Sequence, residues 1–189
     1  MGRATELALV RGELRAAGKG AVRRMVIEGP EGIGKTALLR QVLGGEANVR
    51  VLAASGDEAE RHLRYGIVRQ LADQPWSVLD GTGPANTGVG GSGPGGTGLR
   101  GAGLRGARPR RSGLADAVTR SAAARDLWFV GEALCELVGR LQADGPVVVF
   151  VDDAQWADRA SLRALGYLLG RLRTGRVLVV VSCRFPESG

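Results

Sequence analysis

The spacing of apolar residues changes period repeatedly along this chain. Over residues 5–17 (TELALVRGELRAA) Leu7, Val10 and Leu14 recur at helical intervals, with Thr5 available as an N-cap and Gly18 as a stop, which predicts a short amphipathic helix. RRMVIEG (23–29) is instead an apolar run closed by glycine and reads as a buried strand, whereas KTALLRQVL (35–43) returns to helical spacing. VRVLAAS (49–55) predicts a second strand and RHLRYGIVRQLA (61–72) a helix, in spite of Gly66 inside it. Further along, ARDLWFVGEALCELVGRLQ (124–142) predicts a helix whose apolar positions are Leu127, Phe129, Val130, Leu134, Leu137, Val138 and Leu141. PVVVFVDD (146–153) is a nearly continuous β-branched run, the pattern of a central parallel strand covered on both faces. RASLRALGYLLGRLR (159–173) reads as a helix and RVLVVVSCR (176–184) as another buried strand. Strands that alternate with helices predict an α/β fold: a mainly parallel sheet with helices on both faces.

One stretch breaks the alternation. From Gly81 to Gly113 glycine dominates and large apolar side chains are almost absent, so the segment has too little surface to bury against its ordering entropy. It reads as a disordered insertion in a single domain, the most that 189 residues accommodate beside one catalytic or binding core.

Composition removes several function classes. The net charge of +7 invites nucleic acid as a partner, but the 26 basic residues are spread over helices, strand flanks and loops and include only two lysines, Lys19 and Lys35. No basic strand studded with aromatics and no recognition-helix pattern accompanies them, so direct nucleic-acid binding by this segment is not expected. Cys135 and Cys183 lie far apart within apolar runs, the setting of small buried hydrophobes rather than of zinc or a disulfide. His62 is the single histidine, with no motif that would make it part of a Ser-His-Asp or Cys-His site. Without an apolar run of eighteen residues or a secretory leader, the chain is expected in the cytoplasm and off the membrane.

The chemistry concentrates at strand ends. Gly29-Pro30-Glu31-Gly32-Ile33-Gly34-Lys35-Thr36 fits G-x-x-x-x-G-K-[ST] and lies between a predicted strand and a predicted helix. Glycines let successive backbone N–H groups approach phosphate oxygens, and the helix start adds its positive dipole end. Lys35 would then hold the β- and γ-phosphates and Thr36 would offer its hydroxyl to Mg²⁺. In an arginine-rich chain, a lysine where a compact ammonium must enter a phosphate cradle strengthens the reading. The second element is the strand 147–153, which ends in Asp152 and Asp153 at the edge where open parallel sheets bind ligands. Asp152 would accept Mg²⁺ through water, and Asp153 would orient or deprotonate the attacking water. Arg184 ends the last strand at the same edge, where a guanidinium would sense the γ-phosphate unless it is an ordinary surface arginine. Gln155, Trp156 and Asp158 follow the acids, with Asp158 an alternative N-cap and Trp156 an alternative packing residue.

Taken together these residues resemble the ATPase domain of the STAND branch of P-loop NTPases, in particular the AAA-type module of the large LuxR-type transcriptional regulators. The likeness is carried by Gly2-Arg3-x-x-Glu6-Leu7, by GPEGIGKTALL, by YGIVRQL (65–71) and by VDDAQWAD (151–158) running into SLRAL. The resemblance implies a three-layer αβα sandwich that binds ATP with Mg²⁺ and hydrolyses it slowly, nucleotide state controlling oligomerisation or exposure of an output domain. ATP rather than GTP follows from the resemblance and from the lack of an N-K-x-D guanine-reading motif. Self-association or association with homologous regulators is the implied protein contact. The sequence reaches Phe185-Pro186-Glu187-Ser188-Gly189 without the family's remaining core strand, lid, helical repeats or helix-turn-helix. The P-loop strand is accordingly expected to lack a neighbour and to expose an apolar edge. That leaves a second expectation open: a catalytically inert fragment that serves as a nucleotide-binding or protein-interaction module.

Overall fold

The computed structural model describes residues 3–46, 48–73 and 127–184. The glycine-rich stretch 81–113 and positions 124–126 of the predicted helix lie outside the described residues. Within them, helix α1 (Ala4–Gly18), strand β1 (Arg23–Glu28), helix α2 (Lys35–Leu43), strand β2 (Arg50–Ser55) and helix α3 (Gly66–Asp73) are followed by helix α4 (Leu127–Leu141), strand β3 (Val147–Asp152), helix α5 (Arg159–Arg171) and strand β4 (Val177–Cys183). The four strands form one parallel sheet in the order β1-β4-β3-β2. Alternation of side chains along β3 explains its continuous apolar run. Val148 and Phe150 join Val10, Leu14, Leu39 and Val42 of α1 and α2 on one face, while Val147, Val149 and Val151 join Leu71, Leu137, Val138 and Leu168 of α3, α4 and α5 on the other. This is the three-layer α/β sandwich of a P-loop NTPase.

Several local expectations are corrected. Thr5 does not cap α1: the helix starts one residue before it, with Arg3 at the N-cap position, and Gly18 is its last residue rather than its stop. The chain turns away at Gly20, whose φ of 96° is left-handed. Among the described residues β1 is not a buried strand but an edge, paired only with β4, and Val26 is 61 % exposed. The residues around 61–65 are turns, and α3 begins at Gly66, because Tyr65 holds a left-handed φ of 62°. Phe129 leaves the apolar face of α4 and is exposed, with its ring edge-on to Trp128 at 4.9 Å. It lies one residue from Val130, about 100° around the helix from the buried stripe of Val130, Leu134, Leu137 and Val138. Both cysteines are partly buried and free rather than fully enclosed.

Candidate functional site

Parallel register places the C-terminal ends of β1, β3 and β4 side by side. Val151 pairs with Val181, so Asp152 stands level with Ser182, and Glu28 pairs with Cys183, so Gly29 follows at the height of Arg184. The Gly29 N–H donates to the Cys183 carbonyl at 3.3 Å, which anchors the loop where β1 ends.

From there the loop turns on Gly32 (φ 72°) and Gly34 (φ 85°), conformations that a side chain would strain. At Gly34 space is short as well, since a Cβ would lie 2.8 Å from the Arg3 guanidinium. Arg3 Nη1 donates to the Gly34 carbonyl at 2.7 Å, so the start of α1 is tied to the loop across 31 residues of sequence. α2 opens directly on Lys35, which is only 9 % exposed. A buried ammonium demands polar partners, and Lys35 Nζ donates to the carbonyls of Gly29 (3.0 Å) and Pro30 (3.1 Å). Pro30 and Ile33 themselves are exposed.

The two acids occupy different environments. Asp152 is the acceptor of a small network: Thr36 Oγ1 donates to its Oδ2, Ser182 Oγ donates to its Oδ1, and the Asp153 N–H approaches Oδ1 at 3.2 Å. Asp153 adopts a left-handed φ of 46°, and its N–H also donates to Ser182 Oγ at 3.1 Å. Its carboxylate accepts from Gln155 Nε2 at 2.9 Å and lies 3.8 Å from Arg184 Nε. Arg184 Nη1 in turn pairs with Glu31 at 2.8 Å, and the Arg184 N–H donates to Gln155 Oε1 at 3.2 Å.

Every side chain given a role toward phosphate, metal or water in the sequence, Lys35, Thr36, Asp152, Asp153 and Arg184, therefore lies at one sheet edge, where Glu31 of the loop joins them. Sequence reasoning did not assign Ser182, Gln155 or Arg3 their contacts. For Ser182 a signal existed, a lone hydroxyl in an otherwise apolar strand, two residues before Arg184. For Arg3 the stretch Gly2-Arg3-x-x-Glu6-Leu7 marked the residue but not its contact, which depends on how α1 lies against the loop. Asp158 takes the alternative reading: it is the N-cap of α5, accepting from the Ser161 N–H.

Among the described residues no group of three or more His, Cys, Asp or Glu side chains could hold a metal ion. One hydroxyl and one carboxylate already in contact, Thr36 and Asp152, fit a magnesium ion, which keeps several waters and takes its other ligands from substrate phosphates.

A parallel sheet whose edge strand runs through G-x-x-x-x-G-K-T into a helix, with paired acids on a strand two places away, defines a P-loop nucleotide-binding fold. The sequence matches the AAA ATPase domain family over residues 1–181, and the chain belongs to that family. No curated protein matches the chain.

Proposed function

We propose that the chain is an ATP-binding switch module that hydrolyses ATP slowly, with the loop 29–36 as phosphate cradle. The observation that carries this reading is Lys35: a nearly buried ammonium whose partners are two carbonyls of its own loop, a cation that phosphate oxygens satisfy better than neutral dipoles do. Thr36 and Asp152 would hold Mg²⁺, which when bound neutralises charge on the phosphates. Asp153 orients the attacking water and accepts its proton, and Arg184 meets the γ-phosphate. The left-handed backbone of Asp153 supports that role, since strained residues persist where surrounding contacts determine them and cluster at functional sites.

The finer reading is a STAND-type module of a LuxR-type transcriptional regulator, working in the cytoplasm, with residues 1–189 as a single core that carries the 81–113 insertion. VDDAQWAD supports it; among the described residues no helix is long and apolar enough to cross a membrane. A second reading, a module that binds nucleotide or protein without turnover, is favoured by one observation. Among the described residues β1 is an open edge with Val26 exposed, a surface on which a further strand, from a second copy or a homologous regulator, would pair.

Titration with Mg-ATP, read by Trp156 fluorescence and by phosphate release, tests both. Saturable binding that disappears in Lys35→Ala supports the cradle, and phosphate release decides between switch and inert module. Binding that survives Lys35→Ala sinks the assignment.

A further inference from the structure

Both cations that would grip a terminal phosphate are engaged by the protein's own oxygens. Lys35 rests on neutral carbonyls, but Arg184 is held by charge. Its Nη1 pairs with Glu31 of the loop at 2.8 Å, and its Nε, buried and without a hydrogen bond among the described residues, faces Asp153 at 3.8 Å. Glu31 thus connects the P-loop to the end of β4, and the chain Glu31–Arg184–Asp153 spans the edge where the γ-phosphate is to lie. A carboxylate in a phosphate-binding loop works against its ligand by repulsion unless something else occupies its charge. Here that something is the phosphate-sensing guanidinium itself.

We propose that Glu31 discriminates ATP from ADP by competing with the γ-phosphate for Arg184, an inference that rests on the nucleotide site proposed above. ADP has no γ-phosphate and leaves the Glu31–Arg184 pair intact. ATP takes the guanidinium, releases Glu31 into solvent, to which it is already 73 % exposed, and removes Arg184 from beside Asp153. Binding of ATP is weakened by the strength of the broken pair, whereas binding of ADP is not. Exposed ion pairs are weak, so the effect is roughly two- to fivefold in affinity.

The test measures ATP and ADP affinity by fluorescence titration of the whole chain as wild type, Glu31→Gln, Arg184→Ala and the double variant, with Lys35→Ala alongside. Glu31→Gln is nearly isosteric at an exposed position and leaves the fold intact. Competition requires Glu31→Gln to tighten ATP by about two- to fivefold with ADP unchanged, and to change neither nucleotide once Arg184 is alanine. Equal tightening of ATP and ADP, an unchanged or weakened ATP affinity, or the same gain in the Arg184→Ala background overturns it, because the acid then acts by general repulsion or not at all. If nucleotide binding does not depend on Lys35, the site itself is wrong and the inference falls with it; dependence on Lys35 without the ratio change removes the inference alone.

Discussion

Asp158 accepts a backbone N–H from Tyr65, 93 residues earlier in the chain, at 2.9 Å, through the same carboxylate oxygen that caps α5 by accepting from Ser161 N–H at 2.9 Å. Ser161 repeats the device: its hydroxyl accepts the Val68 N–H at 3.2 Å. The first N–H groups of a helix have no partner within the helix, and those near the start of α3 find theirs in the first turn of α5. This contact in trans, together with the left-handed Tyr65, is why α3 starts at Gly66 and why that glycine carries no penalty of an interior position.

Asp158→Ala removes an N-cap and strips the buried Tyr65 N–H of its acceptor, which costs about 2–4 kcal/mol in all. Urea unfolding checks it, and a change smaller than about 0.5 kcal/mol would show that the carboxylate is replaceable by water. Tyr65→Phe goes the other way. The phenol oxygen is buried with no hydrogen-bond partner among the described residues, so its removal leaves stability unchanged or raises it.

Ser182→Ala tests the support beneath the acids. The hydroxyl donates to the Asp152 carboxylate and accepts from the Asp153 N–H, so it fixes one carboxylate and the backbone of the next residue to β4. Loss of such a supporting hydrogen bond lowers metal affinity by roughly tenfold or more. The expected result is a higher Mg²⁺ requirement for turnover, measured by magnesium titration, with magnesium-free nucleotide binding unchanged. A normal magnesium profile would mean that Thr36 and the Asp153 backbone suffice to hold Asp152.

Much of the fold and of the site geometry was legible because both depend on local signals. The β-branched run 147–151 dictates a strand covered on both faces, and a strand–glycine loop–helix order around Lys35 dictates where its ammonium goes. What escaped depended on contacts distant in sequence. The pattern of 61–72 is helical throughout, and contacts 93 residues away, Asp158 to Tyr65 and Ser161 to Val68, accompany the left-handed Tyr65 where its first part turns instead. Likewise RRMVIEG looks buried because apolar spacing records which side chains are hydrophobic, not whether a neighbouring strand covers them. The Glu31–Arg184 pair was beyond reach for a related reason: each residue alone is an ordinary charge in a chain full of them.

Asp153→Asn separates the two acids. Asp152 bonds to Thr36 and Ser182, whereas the Asp153 carboxylate, among the described residues, meets Gln155 and the edge of Arg184 rather than the cradle. Turnover should fall by roughly 10²-fold, the lower range for loss of a general base, while ATP affinity stays within a fewfold of wild type. Equal loss of turnover and binding, by kinetics and titration on the same samples, would put both acids in one role.

The last prediction concerns the thiols. Burial pushes the Cys183 thiol up from its ordinary value, and the Glu28 carboxylate, to which its Sγ donates at 3.8 Å, raises it further against an opposing pull from Lys35. Burial also raises Cys135, with the Glu132 charge adding to it. Only the thiolate reacts, so both cysteines should alkylate more slowly near pH 8 than in the urea-unfolded chain, with midpoints displaced to more alkaline pH. The sign for stability follows. A thiol raised in the folded state keeps its proton there while the unfolded chain loses it, so this contribution is complete below the unfolded value and is lost as pH rises through the folded one. Glu28→Gln should move the Cys183 midpoint back toward that of the unfolded chain and leave Cys135 where it is. Rates followed residue by residue by mass spectrometry decide the matter, and a Cys183 midpoint indifferent to Glu28 would leave burial as the sole cause.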